Sequence, residues 1–258
     1  IMIKKKLIKN ARKIDQFLIK FLKKQQSSLL VRPMKYGVIS GGKKIRSTII
    51  FDAGKIFNIS EKKLINICAA VECIHSYSLI HDDLPCMDND TIRRGKPATH
   101  IKFGEASAVL AGSSLLTLAF EIIADKKYSL SPKAKNEIIK FLSSCSGHTG
   151  IAGGQELDLK FENKKKRIDQ IIDMQKKKTG KLFNFCLYAV GVIANKTKKE
   201  KKLLSNLGEE IGLLFQLADD FLDKKGSKHL LGKPVQKDNK KGKSTLLNLM
   251  GEKKANLY

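Results

Sequence analysis

The acidic stretch Asp82-Asp83-Leu84-Pro85-Cys86-Met87-Asp88 follows directly after an apolar run with helical spacing. A second acidic stretch, at the end of another helical run, reads Asp219-Asp220-Phe221-Leu222-Asp223. Carboxylates beside hydrophobic helix faces are electrostatically costly unless cations hold them. Proteins bind Mg2+ through one or two carboxylates together with substrate phosphates. The two stretches therefore predict a diphosphate that is held from both sides.

Apolar residues in the rest of the chain also follow helical spacing. Intervals of four and three residues predict an amphipathic helix over about residues 4–25, from Leu7, Ala11, Ile14, Leu18 and Phe21. A long helix that contains Leu64 ends near the first acidic stretch, and others are predicted at about 104–125, 131–145, 151–160, 167–194 and 199–224. The alternation typical of strands is nearly absent. The sequence predicts an all-α fold with a single domain, 1–258.

Three segments are predicted to lie outside these helices. A loop is expected from Arg32-Pro33 to Ser40-Gly41-Gly42, and the polar segment 85–100 is expected to be irregular. A Gly- and Lys-rich loop is expected over 225–243, before a last short helix from Ser244.

The spacing of the aspartates predicts which carboxylates share a helix face. Asp219 and Asp223 are four residues apart and share a face, whereas Asp220 points about 100° away. Asp82 and Asp88 would share a face if Pro85, which cannot donate a backbone amide, produces a two-residue bulge. Either cluster alone could be a solvated helix end. Two clusters, each followed by a basic loop, favour a metal site.

The strong positive charge raises the alternative of nucleic-acid binding. Lys and Arg number 50 against 25 Asp and Glu, which gives a net charge of +25. The excess is almost wholly lysine, and arginine occurs at six positions: 12, 32, 46, 93, 94 and 167. Base recognition uses arginine forks and aromatic platforms, and neither is evident. Lysines on solvated helix faces explain the charge, so no nucleic-acid partner is predicted.

Composition also predicts where the protein resides. Hydrophobic residues make up 42% and charged residues 29% of the chain, as in globular proteins. The five cysteines, at positions 68, 73, 86, 145 and 186, show no CxxC spacing, which favours reduced thiols. The longest apolar stretch, 108–120, is too short to span a bilayer, and no signal peptide is recognisable. A cytoplasmic protein without stable membrane insertion is predicted.

Basic loops provide positive charges that accompany the carboxylates. The segment 41–46 combines two glycines with Lys43 and Arg46, and 93–96 places two arginines before Gly95. Residues 178–180 and 242–245 each pair a lysine with a hydroxyl group. The last of these is not a P-loop, because the upstream glycine and the preceding strand are missing. Several phosphate sites beside metal-binding carboxylates are typical of an enzyme that joins two diphosphates.

The stretch from Glu72 to Asp88, continued by Arg93-Arg94-Gly95, resembles the first aspartate-rich region of bacterial trans-prenyl diphosphate synthases of the polyprenyl synthetase family. Phe215 to Asp223 resembles the second. Further segments fall in the family's order, at 41–46, 103–106, 153–155, 178–180 and 231–245. The resemblance covers about residues 33–250 and implies an isoprenoid-synthase helical bundle around a central cavity.

The resemblance implies roles for the matching residues. Three Mg2+ ions would be held by Asp82, Asp83, Asp88, Asp219, Asp220 and Asp223. Isopentenyl diphosphate would be bound by Lys43, Arg46, His75 and Arg94. The allylic substrate, dimethylallyl or geranyl diphosphate, would be bound by Arg93, Lys233 and Lys243. The allylic cation would be flanked by Lys178, Thr179 and Gln216.

Product length is predicted to depend on the helix before the first acidic stretch. Tyr77 precedes Asp82 by five residues, which is about 7.5 Å deeper along the helix. In the resembling family an aromatic residue here, with the two-residue insertion after Asp83, implies farnesyl diphosphate, and Ser78 is the neighbouring chain-length position. Geranylgeranyl diphosphate is the alternative product.

Three departures from the family pattern keep a second class of function open. The chain ends at Tyr258, where relatives continue with further C-terminal helix, and it begins at Ile1 instead of Met. Ser113 and Ser227 stand where relatives usually carry Asp. The alternative is a degenerate, non-catalytic homologue or partner subunit. Retained aspartates favour the enzyme, for which the family implies a homodimer.

Overall fold

The computed structural model describes residues 2–25, 29–39 and 41–224, with the side chains of residues 223 and 224 excepted. Over these residues the regular secondary structure is helical apart from one short hairpin, which confirms the predicted all-α class. Lys233, Lys243, Ser227 and the helix predicted from Ser244 lie outside the described residues, as does the side chain of Asp223.

The described part of the chain contains eleven α-helices, one π-helix and two strands. The helices are α1 Met2–Lys23, α2 Val31–Ile39, α3 Ile45–Ile56, α4 Glu61–Asp82, α5 Thr99–Phe103, α6 Glu105–Ala124, α7 Pro132–Ser146, α8 Ile151–Phe161, α9 Ile168–Gln175, α10 Lys181–Ile193 and α11 Lys198–Lys224. The π-helix is Lys176–Gly180, and the antiparallel strands are β1 Ile92–Arg93 and β2 Lys96–Pro97.

The chain divides into two compact units. Among the described residues, the first unit contains those up to Phe141 and the range Cys186–Lys202. The second contains Leu142–Phe185 and the residues from Leu203 onward. The two acidic stretches therefore belong to different units.

The core of the first unit is built around α4, which packs along α6 and against α3. Residues Ile67 to Val71 are all fully buried, so α4 is apolar around most of its circumference, as expected for a helix surrounded by others. Both α4 and α6 are long and apolar enough to cross a membrane by length and composition. The apolar window of α4 is 72% buried inside the protein, as in a core helix of a globular protein.

The second unit has its own apolar cluster, formed by Ile171, Met174, Leu213 and Leu217. Leu157, Phe161, Ile172 and Phe221 pack against it from the edges. Each fully buried Leu, Ile or Met contributes about 1.5–3 kcal/mol relative to an exposed one. This cluster joins α9 to the part of α11 that carries the second acidic stretch.

Three local predictions were wrong. Residues predicted as a loop after Arg32 form α2, because Pro33 lies in the first turn, where backbone N–H groups have no intrahelical partner. The segment predicted as irregular, 85–100, contains the hairpin and the first two residues of α5. The single helix predicted over 167–194 is interrupted by the π-helix.

Candidate active site

The first acidic stretch forms a closed loop after α4 ends at Asp82. The backbone N–H of Asp88 donates to the carbonyl oxygen of Asp82 at 2.8 Å, and that of Asp90 donates to Asp83 at 3.1 Å. The backbone of Asp88 thus returns to that of Asp82 through a hydrogen-bonded loop and not through a bulge in a continuous helix. Asp82 and Asp88 are both half-buried.

Asp83 is buried against Arg93. Its carboxylate, 2% exposed as a residue, accepts a hydrogen bond from Nε of Arg93 at 2.9 Å and a second from Nη2. The same Nη2 lies 3.4 Å from Oδ2 of Asp90. Burial raises the pKa of Asp83, and the hydrogen bond and charge of Arg93 oppose this rise. The geometry fits a carboxylate that orients the guanidinium of Arg93.

The hairpin turn brings the two basic loops together. Arg94 and Gly95 have φ angles of 53° and 73°, as both central residues of a type I′ turn require. Nη1 of Arg94 donates to the carbonyl oxygen of Gly41 at 2.7 Å. A β-carbon on Gly42 would lie 2.8 Å from Cζ of Arg94, so the glycine permits this approach. The segments that carry Lys43 and Arg94 therefore meet in one place.

The two lysines after Gly42 have different environments. Lys44 has a φ of 44°, and its buried ammonium group donates to the carbonyl oxygen of Val38 at 3.0 Å. It also lies 3.1 Å from Oδ1 of Asp15. Lys43 is exposed. Lys44 is therefore used within the fold, whereas Lys43 is accessible to solvent.

Positive charges converge on His75. Burial lowers the pKa of His75 well below its ordinary value, and Arg46, Arg94, Lys44 and Arg93 lower it further. The imidazole is therefore neutral at neutral pH. The predicted isopentenyl diphosphate residues Arg46, His75 and Arg94 are thus close enough to interact, in surroundings suited to an anion.

A buried carboxylate, which was not singled out from the sequence as a charge partner, accompanies these cations. Glu72 is 3% exposed, and its Oε1 accepts a hydrogen bond from the hydroxyl of Ser47 at 2.7 Å. Its charge opposes the lowering of the pKa of Arg94 that burial causes. Its position one turn before His75 on a core helix is the sequence signal that could have indicated it.

The pKa of His75 predicts how stability depends on pH. Below pH 6.5, the ordinary pKa of histidine, the unfolded chain binds a proton that folded His75 does not, so the free energy of unfolding should fall as pH falls. His75→Gln should remove this part of the pH dependence. Urea denaturation of both proteins at about pH 7.5 and about pH 5.5 measures it. His148→Gln, at an exposed histidine, is the control. A difference between wild type and His75→Gln that stays constant with pH would contradict the prediction.

The chain-length positions lie on α4 in the first unit. Tyr77 is 8% exposed, and burial raises the pKa of its hydroxyl group, with a smaller contribution from the charge of Asp82. The hydroxyl of Ser78 donates to the carbonyl oxygen of His75 at 2.9 Å, so it is bonded within its own helix. Tyr77 is therefore the bulkier and more buried of the two.

In the second unit, two glycines allow the π-helix to pack closely against its neighbours. A β-carbon on Gly154 of α8 would lie 2.2 Å from the backbone nitrogen of Lys178. A β-carbon on Gly212 of α11 would lie 2.7 Å from Cα of Gly180. π-helical turns occur frequently at functional sites. This one holds Lys178 and Thr179 between α8 and α11.

The three predicted cation-flanking residues are brought together there. The hydroxyl of Thr179 donates to Oε1 of Gln216 at 3.1 Å, and Nε2 of Gln216 donates to Oδ1 of Asp220 at 3.0 Å. Nζ of Lys178 donates to Oδ2 of Asp158 at 2.7 Å. Asp158 was not singled out from the sequence, although its spacing of four residues from Gly154 puts both on one face of α8.

The carboxylates have the chemistry of Mg2+ ligands. Within the described ranges, no group of three or more His, Cys, Asp or Glu side chains could hold a metal ion by itself. Mg2+ usually needs one or two carboxylates and takes its remaining ligands from water and substrate phosphates. Asp82 and Asp88 in the first unit, and Asp219 in the second, carry carboxylates of this kind.

Comparison with known proteins decides the family. The family model described as polyprenyl synthetase matches residues 27–257. The chain belongs to the polyprenyl synthetase family. This polyprenyl synthetase is 42% identical over 232 residues to farnesyl diphosphate synthase of Escherichia coli (strain K12). The alignment covers 89% of this chain and 78% of the relative.

Solved structures agree with this polyprenyl synthetase assignment. An FPP/GFPP synthase of Zymomonas mobilis has a TM-score of 0.87 and 37% identity, covering 99% of this chain and 87% of the other. A geranyltransferase of Helicobacter pylori, complexed with magnesium and isoprenyl diphosphate, has a TM-score of 0.82 and 31% identity. It covers 99% of this chain and 86% of the other. The predicted family is confirmed.

Proposed function

We propose that this chain is a trans-prenyltransferase that condenses isopentenyl diphosphate with dimethylallyl and then geranyl diphosphate to give (2E,6E)-farnesyl diphosphate. The observation that carries the proposal is the meeting of the acidic loop after α4 with two basic loops in one unit. Arg93 is bonded to Asp83, and Arg94 is bonded to Gly41. The 42% identity to a farnesyl diphosphate synthase supports the substrate class.

Mg2+ is the proposed cofactor, with three ions per site. The residues that would hold it are Asp82, Asp83, Asp88, Asp219, Asp220 and Asp223. When bound, Mg2+ neutralises charge on the allylic diphosphate and stabilises it as a leaving group. The Helicobacter pylori relative binds magnesium and an isoprenyl diphosphate, which supports the pairing of metal and ligand.

Isopentenyl diphosphate is proposed to bind to the cation cluster around His75. Lys43, Arg46 and Arg94 supply positive charge, and the neutral His75 can add a hydrogen bond without adding charge. Arg93 is proposed to contact the allylic diphosphate. Because Asp83 holds its guanidinium, Arg93 loses little conformational entropy on binding.

The π-helix is proposed to stabilise the allylic cation. The hydrogen of the Thr179 hydroxyl points to Gln216, so the lone pairs of Oγ1 remain available to a carbocation. Asp220 accepts from the Gln216 amide nitrogen, which directs Oε1 of Gln216 towards Thr179. These oxygens stabilise positive charge without being strong nucleophiles. Lys178, whose ammonium group is held by Asp158, is proposed to flank the same cation, and Lys233 and Lys243 are proposed to contact the leaving diphosphate.

The reaction then balances as an ionisation, a condensation and an elimination. The C–O bond of the allylic substrate breaks, and diphosphate leaves with the electron pair. The double bond of isopentenyl diphosphate attacks the allylic cation and forms the new C–C bond. Loss of a proton, which the departing diphosphate can accept, forms the new double bond. Water must be excluded, because it would otherwise capture the cation.

Release of diphosphate tests this function. We expect the purified protein to release diphosphate in the presence of Mg2+ when isopentenyl and dimethylallyl diphosphates are both supplied. Omission of either substrate, or addition of EDTA, should abolish rapid release. Absence of Mg2+-dependent release with both substrates would favour the non-catalytic homologue. Steeply salt-dependent binding to random DNA would revive the nucleic-acid alternative.

Tyr77→Ala should change the product. Removing the ring opens the space about 7.5 Å below Asp82, so the tail can grow by one more isoprene unit and geranylgeranyl diphosphate should become the main product. Liquid chromatography with mass spectrometry measures the C20 to C15 ratio. Tyr188→Ala removes a tyrosine whose hydroxyl donates to Glu137 on α7 and is the control. An unchanged C15 product from Tyr77→Ala would contradict the proposal that the Tyr77 ring limits the length of the product.

The assembly and location of the protein are part of the same proposal. A homodimer is proposed, and the apolar residues Val109 and Leu110, exposed by 42% and 53% on α6, offer surface for a second copy. The five cysteines are free thiols, which supports a reducing, cytoplasmic environment. Light scattering during gel filtration tests the dimer.

A further inference from the structure

The imidazole of His81 is held at the end of α4 by a contact with α6. Its Nε2 lies 3.0 Å from the carbonyl oxygen of Val109. A carbonyl oxygen can only accept a hydrogen bond, so this ring nitrogen carries the hydrogen. The two helices pack along each other over much of their length. The position of the ring is therefore determined by the neighbouring helix as well as by its own.

The same ring occupies space left by a missing side chain. A β-carbon on Gly112 would lie 2.3 Å from Nε2 of His81 and 2.5 Å from its Cδ2. Real β-carbon contacts are essentially never this short, so His81 could keep its place beside no other residue at position 112. Val109 and Gly112 are three residues apart on α6 and form one seat for the imidazole.

The ring of His81 also packs against the ring of Tyr77. The two residues are four apart on α4, and their ring centroids lie 5.4 Å apart with an interplanar angle of 88°. This edge-to-face arrangement is a favourable geometry for aromatic rings. Any swing of the Tyr77 ring towards His81 is therefore blocked by a group that is itself held by α6.

We propose that His81, seated on Val109 and Gly112, sets product length by holding the Tyr77 ring across the path of the growing prenyl tail. The inference rests on the proposed function and adds to it a residue that need not touch the substrate. His81 is a positioning residue, and its effect passes through Tyr77. Loss of the imidazole leaves the tyrosine in place but gives its ring room to turn aside, so longer products should form.

A double-mutant cycle tests this proposal with the full chain, Mg2+, isopentenyl diphosphate and dimethylallyl diphosphate. His81→Ala should raise the C20 to C15 ratio about tenfold, whereas adding it to Tyr77→Ala should give no further rise, because coupled residues are not additive. His148→Ala, at an exposed histidine, should leave the ratio unchanged. A rise that is equal in both backgrounds would overturn the proposed route through Tyr77.

Milder variants keep the test decisive if His81→Ala does not fold. His81→Phe retains a ring against Tyr77 and should keep the C15 product. His81→Asn retains a hydrogen-bond donor without the ring and should raise the ratio, as should Gly112→Ala, which puts a methyl group into the seat. Circular dichroism establishes folding for each variant.

The outcomes separate this inference from the function on which it rests. An active wild type with unchanged ratios in His81→Asn and Gly112→Ala would overturn the inference alone. A wild type without Mg2+-dependent turnover would overturn the proposed function, and the inference would fall with it.

Discussion

Asp82→Asn should lower kcat by about three orders of magnitude. Removal of one preorganised group that stabilises developing charge costs about 100- to 1,000-fold, and loss of a metal ligand adds to this. Asp82 ends α4, and its carbonyl oxygen already accepts from Asp88, so the substitution leaves the loop's backbone bond intact. Steady-state kinetics over a range of Mg2+ concentrations would measure the loss.

The control for Asp82→Asn is Asp169→Asn, which removes an exposed carboxylate paired with Arg167. This control should leave kcat and the Mg2+ dependence unchanged. Asp82→Glu retains the charge but moves it by one methylene group, and its kcat should fall between those of wild type and Asp82→Asn. A kcat of Asp82→Asn within a few-fold of wild type at all Mg2+ concentrations would contradict the metal assignment.

Arg93→Met should lower the free energy of unfolding by about 3–5 kcal/mol, because removing one partner of a buried ion pair leaves the other without compensation. The partner is Asp83, whose side chain is 3% exposed. The loss should shrink as pH falls. Without Arg93 the pKa of buried Asp83 rises further, so the folded variant binds a proton more readily than the unfolded chain does.

Urea denaturation at about pH 7.5 and about pH 5 would measure both effects. Arg93→Lys keeps a positive charge without the bidentate fork and should be intermediate in stability. Arg167→Met removes an exposed arginine, 78% exposed at its side chain, and should leave the unfolding free energy unchanged. Stability of Arg93→Met equal to that of wild type at both pH values would show that Asp83 does not depend on Arg93.

The sequence predicted the long helices well, because helix formation depends on local patterns. The run from Leu64 to Ile80 is mostly apolar, and α4 ends at Asp82. The hairpin could not be predicted, since strands of two residues have no periodicity, although the positive φ angles of Arg94 and Gly95 explain it. The π-helix at Lys176–Gly180 was also missed, because its five residues, three lysines, a threonine and a glycine, carry no apolar periodicity.

The contacts that join distant parts of the chain were beyond prediction for a different reason. The pairs Asp158–Lys178 and Asp83–Arg93 depend on how one element packs on another. Spacing along the chain indicates a shared face but does not show which partner occupies it. The packing role of a glycine such as Gly154 could be recognised only in the structure, which shows that the backbone of Lys178 approaches it closely.

Product analysis is the most direct test of the proposed function. The purified chain would be incubated with Mg2+, isopentenyl diphosphate and dimethylallyl diphosphate, and the chain length of the products would be determined by mass spectrometry. We expect farnesyl diphosphate as the main product and its complete loss when Mg2+ is chelated. A product that is mainly C20, or the absence of any Mg2+-dependent prenyl diphosphate, would contradict the assignment of this chain as a farnesyl diphosphate-forming enzyme.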